Sequence, residues 1–285
     1  MFVITGASGQ TGTATMLRLL ELGQPVSRRA AGRAGRVVAR ARRGRGYRRH
    51  RRRNRDDRGV RRRCRCLHHE PAGLHGRDIL AQARAVHGSL IRDAEQAGVG
   101  HVVGLSSVGA QHAEGTGNIL TTHDLEVQLA QSRVSSTRLR AANFIDYWAW
   151  AIGETRTSGE LPSMLLPTDR RIPLVAAADI GRIAADLLIE GAEAPDRVEL
   201  RGPTDYSPDD AAAVLSELFH RPVLAKPVAE DEWPNVFRGS GLSESAVDAF
   251  CDMYCGFNNG LVSFEYSGIT KRGIIDLRDT LAALI

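Results

Sequence analysis

Three glycines spaced three apart, Gly6, Gly9 and Gly12, follow a short apolar run at the start of the chain and limit its fold more than any other feature. Phe2 to Thr5 reads as a buried strand. Residues 13 to 23 then set Ala14, Met16, Leu17, Leu19, Leu20 and Leu22 along a helix that stops at Gly23. The turn between them, Gly6-Ala7-Ser8-Gly9-Gln10-Thr11-Gly12, can bend sharply and bring its backbone close to a bound group. Amides at the helix start would then face an anion such as a pyrophosphate. A glycine triad alone is weak, but a strand before it and a helix after it are the context of a dinucleotide-binding turn. The alternative is a plain strand-to-helix turn. On the first reading Gly6, Ser8, Gly9, Gln10, Thr11 and Gly12 contact the phosphates.

Further along, strands and helices alternate. A helical stripe over 79–97 carries Ile79, Leu80, Ala83, Ala85, Val86, Leu90, Ile91 and Ala94. His101 to Ser107 reads as a strand, Asp124 to Gln131 as a short helix and Ser136 to Leu139 as a strand. This alternation predicts an α/β fold, a Rossmann-type doubly wound parallel sheet covered on both faces. Later elements are shorter and mixed. They comprise a helix over Asp179 to Leu188, a strand at Val198 to Leu200, and a helix opened by the Ser207-Pro208-Asp209-Asp210 cap. A strand over Pro222 to Ala225 and a helix from Ser243 to about Tyr254 complete them. We expect a dinucleotide-binding domain over 1–155. A smaller C-terminal α+β lobe over 156–285, part of the same structural unit, would lie over the carboxyl ends of the sheet, where open α/β sheets bind ligands.

The net charge of +5 is misleading. Between Arg28 and Arg65 stand 19 of the 38 basic residues, with Asp56 and Asp57 as the only acids, so the remainder carries 19 basic against 31 acidic side chains, a net −12. The chain is acidic with one intensely basic insert. Four cysteines make no disulfide framework, no apolar run is long enough to span a bilayer, and the first residues lack a leader pattern. A soluble, cytoplasmic protein is therefore expected.

The insert, 27 to about 76, has neither helical nor strand periodicity where a Rossmann sheet needs its second and third strands. It reads as an Arg-rich nucleic-acid arm, as a zinc cluster of Cys64, Cys66, His68 and His69, or as a stretch in the wrong reading frame. The cysteine and histidine spacing matches none of the usual zinc patterns. Re-reading the codons of His69 to Gly76 one base later permits Met-Asn-Pro-Pro-Ala-Tyr-Met, an ordinary strand end and turn, and the same shift before His69 permits Val-Asp-Ala-Phe-Thr. Long structureless segments inside a compact domain are uncommon, which favours the frameshift.

With its glycine turn, the chain resembles the NmrA-like group of atypical short-chain dehydrogenase/reductases. The residues that carry the likeness are Thr5 to Gly12, His101 to Gly109, and Thr137-Arg138-Leu139-Arg140 with Asn143-Phe144. Asp179-Ile180-Gly181-Arg182 and the Arg201-Gly202-Pro203 turn before the Ser207 helix add to it, and the likeness covers 1–26 and about 77–285. The resemblance implies NADP binding, with NAD the alternative, and hydride transfer to a small flat acceptor such as a quinone. It also implies a second strand bearing a basic residue for the 2′-phosphate of NADPH, and as written that strand is expected to be absent.

Ser106 and Ser107 end a central strand and either line the nicotinamide pocket or cap the following turn. The Tyr and Lys, four residues apart, that supply protons in many members of this family are missing, since Ala151 stands four after Tyr147. The catalytic candidates are His123, beside Glu126 at a helix start, and Tyr147, which with Phe144 and Trp148 could wall a flat substrate. Surface placement of His123 and core packing of Phe144 are the plainer readings. Cys251 and Cys255, one helical turn apart, read as buried hydrophobes. Besides a reductase, a non-catalytic dinucleotide sensor and an Arg-rich nucleic-acid binder are the readings carried forward. No membrane partner and no metal are expected, and the oligomeric state is open.

Overall fold

The computed structural model describes residues 1–29, 65–68 and 74–285. Its first strand, β1 (Phe2–Thr5), runs into α1 (Gln10–Glu21), and β2 (Val26–Arg29) lies parallel beside β1. Next come β3 (Arg65–His68), α2 (Ile79–Gln96), β4 (His101–Ser107), α3 (Leu120–Gln131) and β5 (Ser136–Ala141). The second and third strands, expected to be missing, are thus formed on either side of β1. Parallel pairing needs only backbone N–H and C=O groups, which the arginine-rich stretch still supplies. The zinc reading and the frame of the insert fall largely on 30–64 and 69–73, outside the described residues.

The second half follows as β6 (Asn143–Phe144), α4 (Ile152–Ser158), β7 (Glu160–Ser163), β8 (Ile172–Val175), α5 (Ala177–Glu190), β9 (Arg197–Arg201) and β10 (Asp205–Tyr206). The last elements are α6 (Pro208–Phe219), β11 (Leu224–Pro227), α7 (Trp233–Gly239), α8 (Glu244–Asn258), β12 (Ile269–Arg272) and α9 (Leu277–Ala282). Seven parallel strands form the main sheet in the order β12-β9-β5-β4-β3-β1-β2. The chain leaves β1 toward β2 on one side and returns to β3 on the other, so the carboxyl ends of β1 and β3 flank the switch point where doubly wound sheets bind ligands. Residues beyond 155 extend this sheet through β9 and β12, form the small sheet β11-β7, and supply β8 and β10 to a second small sheet, β10-β8-β6, whose β6 comes from the first half of the chain.

Central β4 shows why the sheet is covered on both sides. Val103 and Leu105 join the large core, whereas Val102, pointing the other way, packs with Ile91, Ala94, Leu125 and Leu129 of α2 and α3. Caps read from the sequence are in place. Ser207 and Asp210 form a reciprocal capping box with Pro208 in the first turn, and the Ser243 hydroxyl accepts the Ala246 amide. The cysteines depart from expectation. Cys251 is half-buried and Cys255 exposed, because the face that α8 buries carries Ala249, Met253, Gly256 and Phe257.

Helices α1 and α5 pack closely on one face of the sheet, and Gly181 makes that possible. A Cβ there would lie 2.7 Å from the Thr15 amide nitrogen and closer still to the Ala14 methyl. Asp179, two residues earlier and fully buried, accepts the amides of Ile274 and Ile275 at 2.8 Å each and so ties the segment after β12 to α5. At the outer edge, β12 leaves Ile269 half exposed and carries Lys271, whose ammonium lies 3.6 Å from Glu190. Gly181→Ala should force the two helices apart and cost about 1–3 kcal/mol, read as a lower urea midpoint at unchanged slope.

Candidate functional site

The turn after β1 is built by backbone approach. Gly6 takes φ of 64°, in the left-handed region, and its carbonyl accepts the Gly9 amide at 3.0 Å. Gly9 is extended and begins α1. A side chain at Gly12 would collide with the Gly6 carbonyl, with the carbonyl carbon only 2.8 Å away. The Thr13 hydroxyl donates to the Ala7 carbonyl at 3.0 Å and locks the turn to the helix. The first-turn amides of α1 lack intrahelical acceptors and point out of the helix start. Ser8 and Gln10 are exposed beside them, and the Thr11 hydroxyl is buried with no partner among the described residues. An exposed helix start and an orphaned hydroxyl suit a phosphate, held by amides rather than by cationic side chains.

Across the switch point, β1, β3 and β4 are neighbours, so the ends of β1 and β4 stand roughly 10 Å apart. At the end of β4 opens a cleft of about 150 Å³. Ser106, Ser107, Ala142 and Asn143 come to it from the strand ends, Asn118 and Ile119 from the turn before α3, and Thr121 and Thr122 from its first turn. Ile79, Ala83 and His87 line it from α2, and Met253 and Phe257 from α8. Phe144 and Tyr147 stack with centroids 5.4 Å apart and an interplanar angle of 16°, forming one wall.

The sequence candidates distribute unevenly around this cleft. Ser106 and Ser107 both line it, yet their protons are engaged, Ser106 to Glu126 at 2.5 Å and Ser107 to the Val108 carbonyl at 3.0 Å. His123 is not among the lining residues, and its Nδ1 lies 2.9 Å from the Ala110 carbonyl oxygen. Tyr147 lines the cleft with 48% of its surface open. Burial around its hydroxyl, with the Asp146 carboxylate adding, pushes the phenol upward, so it keeps its proton at neutral pH. Trp148 is buried in the core instead of completing the wall. Among the described residues no three His, Cys, Asp or Glu side chains group to hold a metal, and no helix is long and apolar enough to cross a membrane.

Behind the cleft lies a largely buried charged network; sequence reasoning singled out Glu126 as a neighbour of His123 and named Arg140 only among the residues of the family likeness. Arg140 grips Glu126 through Nε and Nη2, each at 2.7 Å, and reaches Glu265 through Nη1 at 2.5 Å. Arg197 meets the same Glu265 carboxylate at 3.1 Å. The signal for it was positional. Glu126 falls on the buried stripe of α3 with Leu125 and Leu129, and Arg140 lies within a central strand next to Leu139. A second cluster ties α2 to α3, where Asp124 accepts Arg84 at 2.8 Å and Gln128 at 2.6 Å and lies 3.3 Å from His87 Nδ1.

Burial would raise both acids, yet hydrogen bonds and charge from Arg140 and Arg197 hold Glu265 below the usual carboxylate range. For Asp124, burial is likewise outweighed by bonds from Arg84, Gln128 and His87. A depressed carboxyl stabilises fully above its unfolded value, about 4, and that stability is lost as pH falls through the folded value. Thermal midpoints should therefore drop as the solution is taken below about pH 4. Arg140→Met leaves Glu126 buried and unpaired, and should cost about 3–5 kcal/mol in urea unfolding, with Glu126→Gln in the same chain recovering part of it.

No protein-family model and no curated sequence matches the chain. Solved structures match it over its whole length. An NADPH-dependent quinone oxidoreductase of Escherichia coli, crystallised with NADPH, superposes with a TM-score of 0.73 at 19% identity, covering 100% of this chain and 99% of that one. The triphenylmethane reductase of Citrobacter sp., crystallised with NADP(H), gives 0.63 at 17% identity over 100% and 96%. A mutant NmrA gives 0.60 at 15% over 99% and 90%. By its fold the chain is thus a Rossmann-type α/β protein, similar to these solved structures.

Proposed function

We propose that the chain binds NADP(H) across the switch point and reduces a small flat acceptor, such as a quinone, by hydride transfer in the cleft at the end of β4. The observation that carries this is the glycine turn: the Gly12 position accepts no side chain, and the buried Thr11 hydroxyl has no partner among the described residues. Support comes from neighbours of the same fold that hold NADPH or NADP(H). Bound dinucleotide supplies the hydride. The turn holds its pyrophosphate through Gly6, Ser8, Gly9, Gln10, Thr11 and Gly12, while Ser106 and Ser107 border the nicotinamide end and the Phe144–Tyr147 stack faces the acceptor. Tyr147 carries the one hydroxyl on that wall, which makes it the favoured proton donor over His123, whose ring is held against Ala110 outside the cleft.

NADP is favoured over NAD by the end of β2. Arg29 stands in register with Thr5, 20 positions after Gly9, and no acidic side chain precedes Asp56 there to receive a ribose 2′-hydroxyl. A cytoplasmic enzyme with a small-molecule partner agrees with this reading. The misread-frame explanation of the arginine block includes Arg28 and Arg29 and so competes with this use of Arg29; near-micromolar NADPH binding by the chain as written would count against a defective insert.

The missing lysine partner of Tyr147 supports a second reading, a dinucleotide sensor without turnover. The two separate in one assay, in which NADPH affinity is measured by fluorescence and NADPH oxidation is followed with a panel of quinones. Oxidation supports the reductase, and binding without oxidation supports the sensor. Gly12→Val should weaken NADPH binding at least about 100-fold by blocking the turn. Arg28→Ala with Arg29→Ala should lower the preference for NADPH over NADH about tenfold, and an unchanged preference would remove the second strand from the argument.

A further inference from the structure

Hydrogen-bond accounting at the cleft says what kind of ligand group it accepts. Besides Ser106, Ser107 and the Tyr147 phenol, the lining hydroxyls belong to Thr121 and Thr122. Thr121 Oγ1 lies 2.8 Å from the Asn118 carbonyl oxygen, and Thr122 Oγ1 lies 2.8 Å from the Ile119 carbonyl oxygen. Ser107 faces the Val108 carbonyl, and Ser106 faces a carboxylate already clamped by Arg140. Carbonyl oxygens and an ionised carboxylate have no proton to offer, so in all four contacts the hydroxyl is the donor. A hydroxyl has one proton and two lone pairs. What these four have left for a ligand is acceptor capacity alone. Asn118 adds to it, because its Oδ1 is buried and has no partner among the described residues.

We infer that the ligand group seated against these oxygens brings its own N–H or O–H, as a phenol, an arylamine or a primary amide does. The inference rests on the proposed function for taking this cleft as the acceptor site, and it narrows the acceptor from any flat carbonyl compound to an aromatic that carries a hydroxyl or amino group. Phe144, Tyr147, Met253 and Phe257 give the ring its apolar surroundings. A ligand with only carbonyl oxygens would set acceptor against acceptor at Ser106, Ser107, Thr121 and Thr122. The donors it could use are the Tyr147 phenol, the amide nitrogens of Asn118 and Asn143, and the ring of His87, all of which line the cleft. A donor-bearing ring satisfies both kinds of group, because its own oxygen or nitrogen can still accept from Tyr147.

Redox-inert pairs that differ only in a methyl cap test this with the full chain. Titration calorimetry is run with 2-naphthol against 2-methoxynaphthalene, and with benzamide against N,N-dimethylbenzamide, each with and without NADPH. The donor-bearing member of each pair should bind at least about tenfold more tightly. Thr121→Val with Thr122→Val keeps shape and removes two of the acceptors. It should shrink the ratio to about threefold or less, with the thermal midpoint monitored so that a folding defect is recognised. Equal affinities, tighter binding of the capped members, or no binding of either member overturns the inference. Failure of NADPH to bind in the same titrations overturns the cofactor reading and leaves the naphthol ratio to be judged by itself.

Discussion

Two places where backbone meets backbone without an intervening side chain hold the rest of the molecule in position. At one, Gly12 lies over the Gly6 carbonyl, which sets the angle at which α1 leaves β1. At the other, Gly181 lets α5 settle onto Ala14 and Thr15, which fixes α1 against the sheet. The first contact shapes an anion-binding turn, and the second keeps its helix from tilting away. Because interiors are close-packed, a displacement of either helix by one methyl's thickness would move the whole turn relative to the carboxyl ends of β3 and β4. The site is therefore as rigid as the α1–α5 contact beneath it.

The cleft depends on a different kind of support. Its floor at Ser106 is held by Glu126, which Arg140 holds in turn, and Arg140 also reaches Glu265 on the segment before β12. Four side chains from a central strand, its neighbour, a helix and a late loop thus share one buried cluster of charge. Such a cluster is not a stability device in itself, since burying ions is costly and well-packed apolar groups often do as well. Its effect is orientation. With the carboxylate fixed by two parallel bonds, the Ser106 hydroxyl has one direction in which to point, and the polarity that the cleft shows to a ligand follows from that choice.

The dinucleotide-binding half was legible because its signals are local. A strand, a glycine turn and a helix occupy the first 21 residues, and β4 and α2 showed their periodicity within single windows. The caps at Ser207 and Ser243 could be read for the same reason. What escaped was long-range or carried by backbone. Strands β2 and β3 pair through main-chain groups in an arginine-rich stretch whose side-chain pattern gave no hint of them. Strands β7, β8 and β12 are four residues each, too short for alternation to stand out. Within the Arg140–Glu126–Glu265 cluster, the Arg140–Glu265 bond alone joins positions 125 apart in the chain, which no local pattern can reveal. His123 drew attention as a histidine near a helix start, but which way its ring faces is decided by Ala110 on a neighbouring loop.

The outer edge of the main sheet at β12 bears on how the protein behaves in company. An open strand edge is a template on which another chain's strand can pair, and a sheet that grows this way ends in aggregation. Here the exposed Ile269 is followed within the same four residues by Lys271 and Arg272, and Lys271 leans toward Glu190 of α5. A second molecule approaching in the same orientation would bring its own pair of cations against these. Like charges placed in this way disfavour the pairing of a second strand at this edge.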